Sequence, residues 1–162
     1  KEYGGDAARL YAFQGYALLA NKTEMAAVKP LYDKDELLKA QLADHAALFG
    51  IAAACDSNVD CWTGKLKDND KLVLRKAASM LSRYGRGNDK AIHALVQLFS
   101  HRDLEVRNEA LGAVDAIAIK GSKEAVDKID ELETVEGGRS IWNNFKREAL
   151  PTRSRLQLRS NT

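Results

Sequence analysis

Proline is scarce in this chain, with two among 162 residues, so long helices meet few obligatory breaks. Cysteine is as scarce: Cys55 and Cys61 are the pair, with five residues between them, without C-x-x-C redox spacing. No second Cys or His pair completes a zinc site around them. No run reaches the roughly 18 apolar residues that cross a bilayer. No signal peptide is visible, and the chain opens on Lys1 rather than Met, which reads as a processed or trimmed fragment. Net charge is +2, too near neutral to argue for nucleic acid by itself. Aromatic residues make up 7%, and Tyr3, Tyr11, Phe13, Tyr16 and Tyr32 gather near the start. Tyr11 and Tyr16 flank Phe13 at spacings that cannot all face one core. One of them is therefore either exposed as a binding residue or, the more ordinary arrangement, partly buried with its hydroxyl in water.

Catalytic motifs are missing too. There is no G-x-S-x-G, no P-loop and no G-x-G-x-x-G; Gly85-Arg86-Gly87 lacks the third glycine and reads as a helix stop. Asp56-Ser57-Asn58-Val59-Asp60 begins like a calcium loop, but Cys61 stands where glycine belongs and Lys67 where glutamate belongs. His45, His93 and His101 form no metal-binding spacing, and His45 beside Asp44 reads as a surface pair. No catalytic, cofactor or metal residue is nominated, and the chain reads as a non-enzyme.

What is present is a helical composition: 45% hydrophobic and 30% charged residues, rich in Ala, Leu, Lys and Glu. At this length about 70% of the unfolded surface can be buried, so the core needs neither metal nor several disulfides. Helical spacing predicts a first helix over 6–20 and, after a turn with Thr23 as cap, a second that is short or kinked at Pro30. A longer helix is predicted over 36–54. Further helices are expected over 60–67, 71–84, 89–99, 104–120, 123–132 and from Ile141 to Leu150, with Asp68-Asn69-Asp70 as a capping turn. The basic segment 151–162 is expected to be extended or disordered unless it docks. Acidic residues crowd 124–136 and basic residues 139–159, either as a solvated face and a basic end or as a basic contact site.

The chain also repeats itself. At a shift of 32, Leu66, Leu72, Leu74, Arg75 and Ala78 reappear as Leu98, Leu104, Val106, Arg107 and Ala110. At a shift of 34, Gly87, Ala91, Leu95 and Leu98 reappear as Gly121, Ala125, Ile129 and Leu132. A period in the thirties built on helix-spaced apolar residues is the signature of stacked helix pairs. The expected core includes Leu74, Ala78, Leu81, Leu95, Leu98, Val106, Ala110 and Ile117.

The pattern Gly87, Ala91, Leu95, Leu98, Asp103, Val106, Arg107, Ala110, Leu111 and Gly121 resembles a HEAT repeat of the short bacterial type. The resemblance is clearest over 59–132 and weak over 1–55. It implies an all-α fold, a right-handed solenoid of antiparallel helix pairs, as a single domain over 1–150. It does not imply one activity, since such repeats serve mostly in protein binding. The repeat architecture, the lack of catalytic motifs and the large helical surface together point to a non-enzymatic protein-interaction or scaffold module, with a protein partner and no cofactor. The inner faces around Arg75, Ser79, Arg83, Arg107 and Asn108 are the expected contact, with Arg75 and Arg107 as structural residues reaching the Asp-rich turns. The alternative is a phosphate or nucleic-acid-backbone binder using Lys71, Arg75, Lys76, Arg83 and Arg107, diluted by Glu105, Glu109 and Asp115. The cysteines by themselves read as buried thiols or a local bridge. Secreted HEAT-like domains carry a similar Cys, Asp-containing turn, Cys-aromatic pattern, here Asp60-Cys61-Trp62, and that likeness implies a Cys55–Cys61 disulfide. A disulfide in turn implies the periplasm or cell exterior rather than the cytoplasm.

Overall fold

The computed structural model describes residues 3–162, with side chains from residue 5 onward. The Tyr3 side chain lies outside the described residues. Every regular element among the described residues is helical, and no strand occurs among them. The chain divides into two compact units, one ending at Asn58 and one spanning Val59–Thr162, where the sequence suggested one domain over 1–150. The division falls where the clear repeats begin.

The first unit contains α1 (Tyr3–Leu19), α2 (Lys22–Lys34), α3 (Glu36–Gln41), α4 (Ala43–Ala46) and α5 (Leu48–Cys55). Asn21, not Thr23, caps α2: its side chain accepts the Glu24 amide at 2.9 Å while Glu24 reaches back to the Asn21 amide at 2.7 Å. Pro30 sits inside α2 on its exposed side, where the Ala26 carbonyl it deprives of a donor is open to water. The helix predicted over 36–54 is three pieces, interrupted at Leu42 and Ala47. Asp44 accepts the His45 backbone N–H at 2.8 Å and meets His45 Nδ1 at 2.9 Å, a local pairing that competes with the helical ladder. His45 is buried rather than on the surface as expected. Phe13, Tyr32 and Phe49 form an aromatic triangle with centroids 5.1 to 6.1 Å apart. Tyr11 is the exposed tyrosine, at 73%. Tyr16 instead donates its hydroxyl to the Glu24 carbonyl at 2.5 Å.

The second unit contains α6 (Val59–Lys65), α7 (Lys71–Tyr84), α8 (Asp89–Gln97) running into a 3-10 turn (Leu98–Ser100), α9 (Leu104–Ile117), α10 (Lys123–Glu136) and α11 (Ser140–Ser160). Successive helices pack in pairs: α6 on α7, α8 on α9 and α10 on α11. Each also meets its next-but-one neighbour: α6 with α8, α8 with α10, α7 with α9 and α9 with α11. Local chemistry recurs at the same period. Asp70 and Asp103 cap α7 and α9, accepting the amides of Leu72 and Glu105 at 2.8 and 2.9 Å. Asn88 and Ser122 cap α8 and α10, accepting the amides of Ala91 and Ala125 at 2.9 and 3.2 Å. Gly87 and Gly121 precede those caps with φ of 71° and 73°, a conformation open to glycine. A Cβ on Gly121 would also collide with the Leu156 carbonyl and the Ser160 hydroxyl.

Small residues let the helices approach. Ala77, Ala78, Ala91, Ala110 and Ala125 are at most 1% exposed, and Leu81, Leu95, Val114, Ile117 and Ile129 fill the space between them. Of the expected core, Leu98 is the exception: it is half-buried, because the chain tightens into the 3-10 turn there and Phe99 takes the interior place. The segment after Pro151 is not extended. It continues α11 to Ser160 and docks, with Trp142, Phe145, Ala149, Thr152 and Leu156 buried at helical spacing. Pro151 is exposed, so the carbonyl it frees can turn to water.

Leu95→Ala should therefore lower stability by about 2–5 kcal/mol, whereas Leu98→Ala should cost less than half of that. Urea unfolding of both variants reads the difference; equal losses would mean Leu98 belongs to the interior after all.

Candidate functional site

α9 carries charge toward neighbours on several sides, and this organises the surface. Its exposed stripe holds Glu105, Gly112 and Ala116, with Asn108, Glu109 and Asp115 half-buried beside it. Arg75 of α7 bridges to Glu105 at 2.7 Å and to Glu109 at 3.5 Å. On the other side Asp115 receives Arg155 at 2.8 Å and Arg159 at 3.0 Å from α11, and its backbone carbonyl accepts Arg159 at 2.7 Å. α7, α9 and α11 thus present stripes that alternate basic, acidic and basic. The acids in the middle are divided between the flanks, Glu105 and Glu109 toward α7 and Asp115 toward α11.

Arg107 leaves the same helix in another direction and is 2% exposed. It makes two parallel bonds to Glu136 at the end of α10, at 2.6 and 3.0 Å. Its Nε donates to the His101 carbonyl at 2.5 Å, and its guanidinium lies 5.7 Å from the centre of the Phe145 ring. Those bonds hold the Glu136 carboxyl below its usual range, against the opposing effect of burial. Arg153 does the same for Asp130, with bonds of 2.5 and 2.8 Å. The acidic and basic segments that look separate in sequence therefore meet across α10 and α11. The docked α11 is not a detached basic arm.

The residues singled out by sequence separate by depth. Ser79 and Arg107 are buried, Arg75 and Asn108 are half-buried, and Arg83 is exposed. Arg75 pairs with acids of α9 rather than with an Asp-rich turn. Lys76, counted among the possible phosphate-gripping cations, is fully buried. Two polar atoms near the α7–α9 seam, Arg75 Nε and Asn108 Oδ1, are buried without a hydrogen-bond partner. The sequence could not separate Arg75 from Arg107, which occupy equivalent repeat positions, because their partners lie about 30 residues downstream.

Cys55 and Cys61 stand at disulfide distance and neither is a free thiol. Among the described residues no group of three or more His, Cys, Asp or Glu side chains could hold a metal ion. No helix among them is long and apolar enough to cross a membrane. No protein-family model matches the chain, and no curated protein or solved structure matches it either.

Removing the Glu136 charge should isolate the Arg107 network. Glu136→Gln leaves a buried guanidinium without its counter-charge and should cost about 3–5 kcal/mol. The folded pKa of Glu136 is depressed, so its contribution is present above about pH 4.3 and is lost as pH falls through the folded value. Chemical denaturation across pH should therefore show a shallower acid limb in the variant; an unchanged limb would remove Glu136 from the account.

Proposed function

We propose that this chain is a non-enzymatic interaction module. In this reading its second unit is a HEAT-like right-handed solenoid of helix pairs, and a protein partner lies on the α7–α9–α11 face. The observation that carries the reading is the two-period packing, in which each helix meets both its neighbour and its next-but-one. Matching caps and matching left-handed glycines support it at the level of single residues. Arg75, Asn108 and Arg83 then belong to the contact surface, while Ser79 and Arg107 support it from beneath. A stripe of half-buried arginine beside acids offers hydrogen bonds of both senses, which suits a polar protein surface.

The phosphate-backbone reading has less support. A nucleic-acid footprint needs unopposed cations, and here the arginines facing α9 are already paired with carboxylates. The paired cysteines favour an oxidising compartment, the periplasm or cell exterior.

Photo-cross-linking in the native cell tests the surface. A benzoylphenylalanine at Ser82 or Gly112, where a Cβ meets open space, should capture a protein. The same group at the exposed His93 on α8 should capture none. No adduct from Ser82 and Gly112, or equal adducts from His93, would overturn the assignment. Thiol titration of denatured, unreduced protein from that cell should find no free thiol; two would contradict the compartment.

A further inference from the structure

The turns at one end of the second unit form a groove that the interaction reading does not use. One part, of about 480 Å³, is lined by Leu66, Lys67, Asp68, Asn69, Leu74, Leu98, His101 and Arg102. It joins a second part of about 410 Å³, in which Asn69, His101 and Arg102 recur beside Lys71 and Asp103. Volumes of this size fall in the range of small-ligand sites, about 300–1,000 Å³.

The two parts differ in chemistry. The first has an apolar floor of Leu66, Leu74 and the half-buried Leu98. The second has no apolar lining residue. The acids around them are held by backbone amides or an ion pair, although Asp68 keeps its charge, so the lining sets Lys67, Lys71 and Arg102 against Asp68 and Asp103. Asp68 accepts the Asp70 amide at 2.9 Å. Asp103 accepts the Glu105 and Val106 amides at 2.9 and 3.3 Å and pairs with Lys71 at 3.2 Å. Of the cations, Lys67 and Arg102 are exposed and have no ion-pair partner among the described residues. His101 Nδ1 accepts the Asp103 amide at 3.0 Å, so in the neutral ring the proton sits on Nε2, a further donor. An apolar floor beside these donors, in a lining with one more cation than carboxylate, is complementary to a carboxylate attached to an apolar side chain.

We propose that this groove binds the free C-terminus of a partner polypeptide whose last residue is apolar. That side chain enters the leucine-floored part. The terminal carboxylate meets Arg102 and the His101 Nε2–H at the junction, with Lys67 adding charge. The preceding main chain runs through the polar part past Asn69 and Lys71. The inference rests on the protein-interaction reading and names the chemistry of a second contact. It also gives the exposure of Leu98 a role.

The test uses the whole chain and a fluorescein-labelled hexapeptide of glycine and serine ending in leucine. Fluorescence anisotropy should give a Kd of ~0.1–1 mM for the free acid. Amidating the terminus, replacing the final leucine by serine, or the exposed-site change Arg102→Gln should each weaken binding at least about tenfold. Amide resonances of Asn69, His101 and Arg102 should move in NMR titration with the free acid, and thermal unfolding should show Arg102→Gln to be folded. Equal binding of acid and amide would overturn the proposal, as would the absence of shifts at those amides. N-acetylleucine binding as tightly as the hexapeptide would replace the peptide with a small carboxylate. Cross-links from Ser82 and Gly112 found together with equal binding of acid and amide would leave the broader interaction reading standing while this one fell.

Discussion

The second unit depends on how α9 is held. Apolar burial supplies most of the driving force, since Val106, Ala110, Val114 and Ile117 are at most 1% exposed. Burial alone is non-directional and does not balance charge. Direction comes from the carboxylates and the single buried guanidinium of α9. Glu105 and Glu109 face Arg75 of α7, Asp115 faces Arg155 and Arg159 of α11, and Arg107 faces Glu136 of α10. Only the last of these pairs is well sequestered, with side chains 3% and 13% exposed. The others are worth at most about 1 kcal/mol each in water. Their larger effect is on the surface: they cancel the field that the two arginine-bearing stripes of α7 and α11 would otherwise project.

That cancellation joins fold to function. An unopposed cationic layer would favour a phosphate backbone, whereas a compensated layer presents paired donors and acceptors. At the turns Lys67 and Arg102 lack such salt bridges, and the groove lining holds one cation more than it holds carboxylates. One face is neutralised and one groove is left cationic, within the same unit.

Much of the second unit was legible in the sequence because its signals are local. Asp70 and Gly87 mark helix ends through their own backbone chemistry, and Ala78 and Ala110 mark close approach through their size. The match between Gly87 and Gly121 anticipated two turns of nearly equal φ. What was hidden depends on distant partners. Arg75 and Arg107 are equivalent in the repeat, yet one lies at the surface and the other inside. The docking of 151–160 was hidden because Thr152 and Leu156 are too few to signal a buried face, and Pro151 suggested a stop. The first unit was least legible. Its break at Leu42 comes from Asp44 binding the adjacent amide, a choice no periodicity reveals.

The central claim is that the α7–α9–α11 layer is neutralised by the acids of α9. Anisotropy titration with duplex DNA at about 0.15 M salt tests it most directly, comparing the native chain with the triple variant Glu105→Gln, Glu109→Gln, Asp115→Asn. The account predicts no measurable binding by the native chain and salt-sensitive binding once the three carboxylates are neutralised. Tight, steeply salt-dependent binding by the native chain would contradict it.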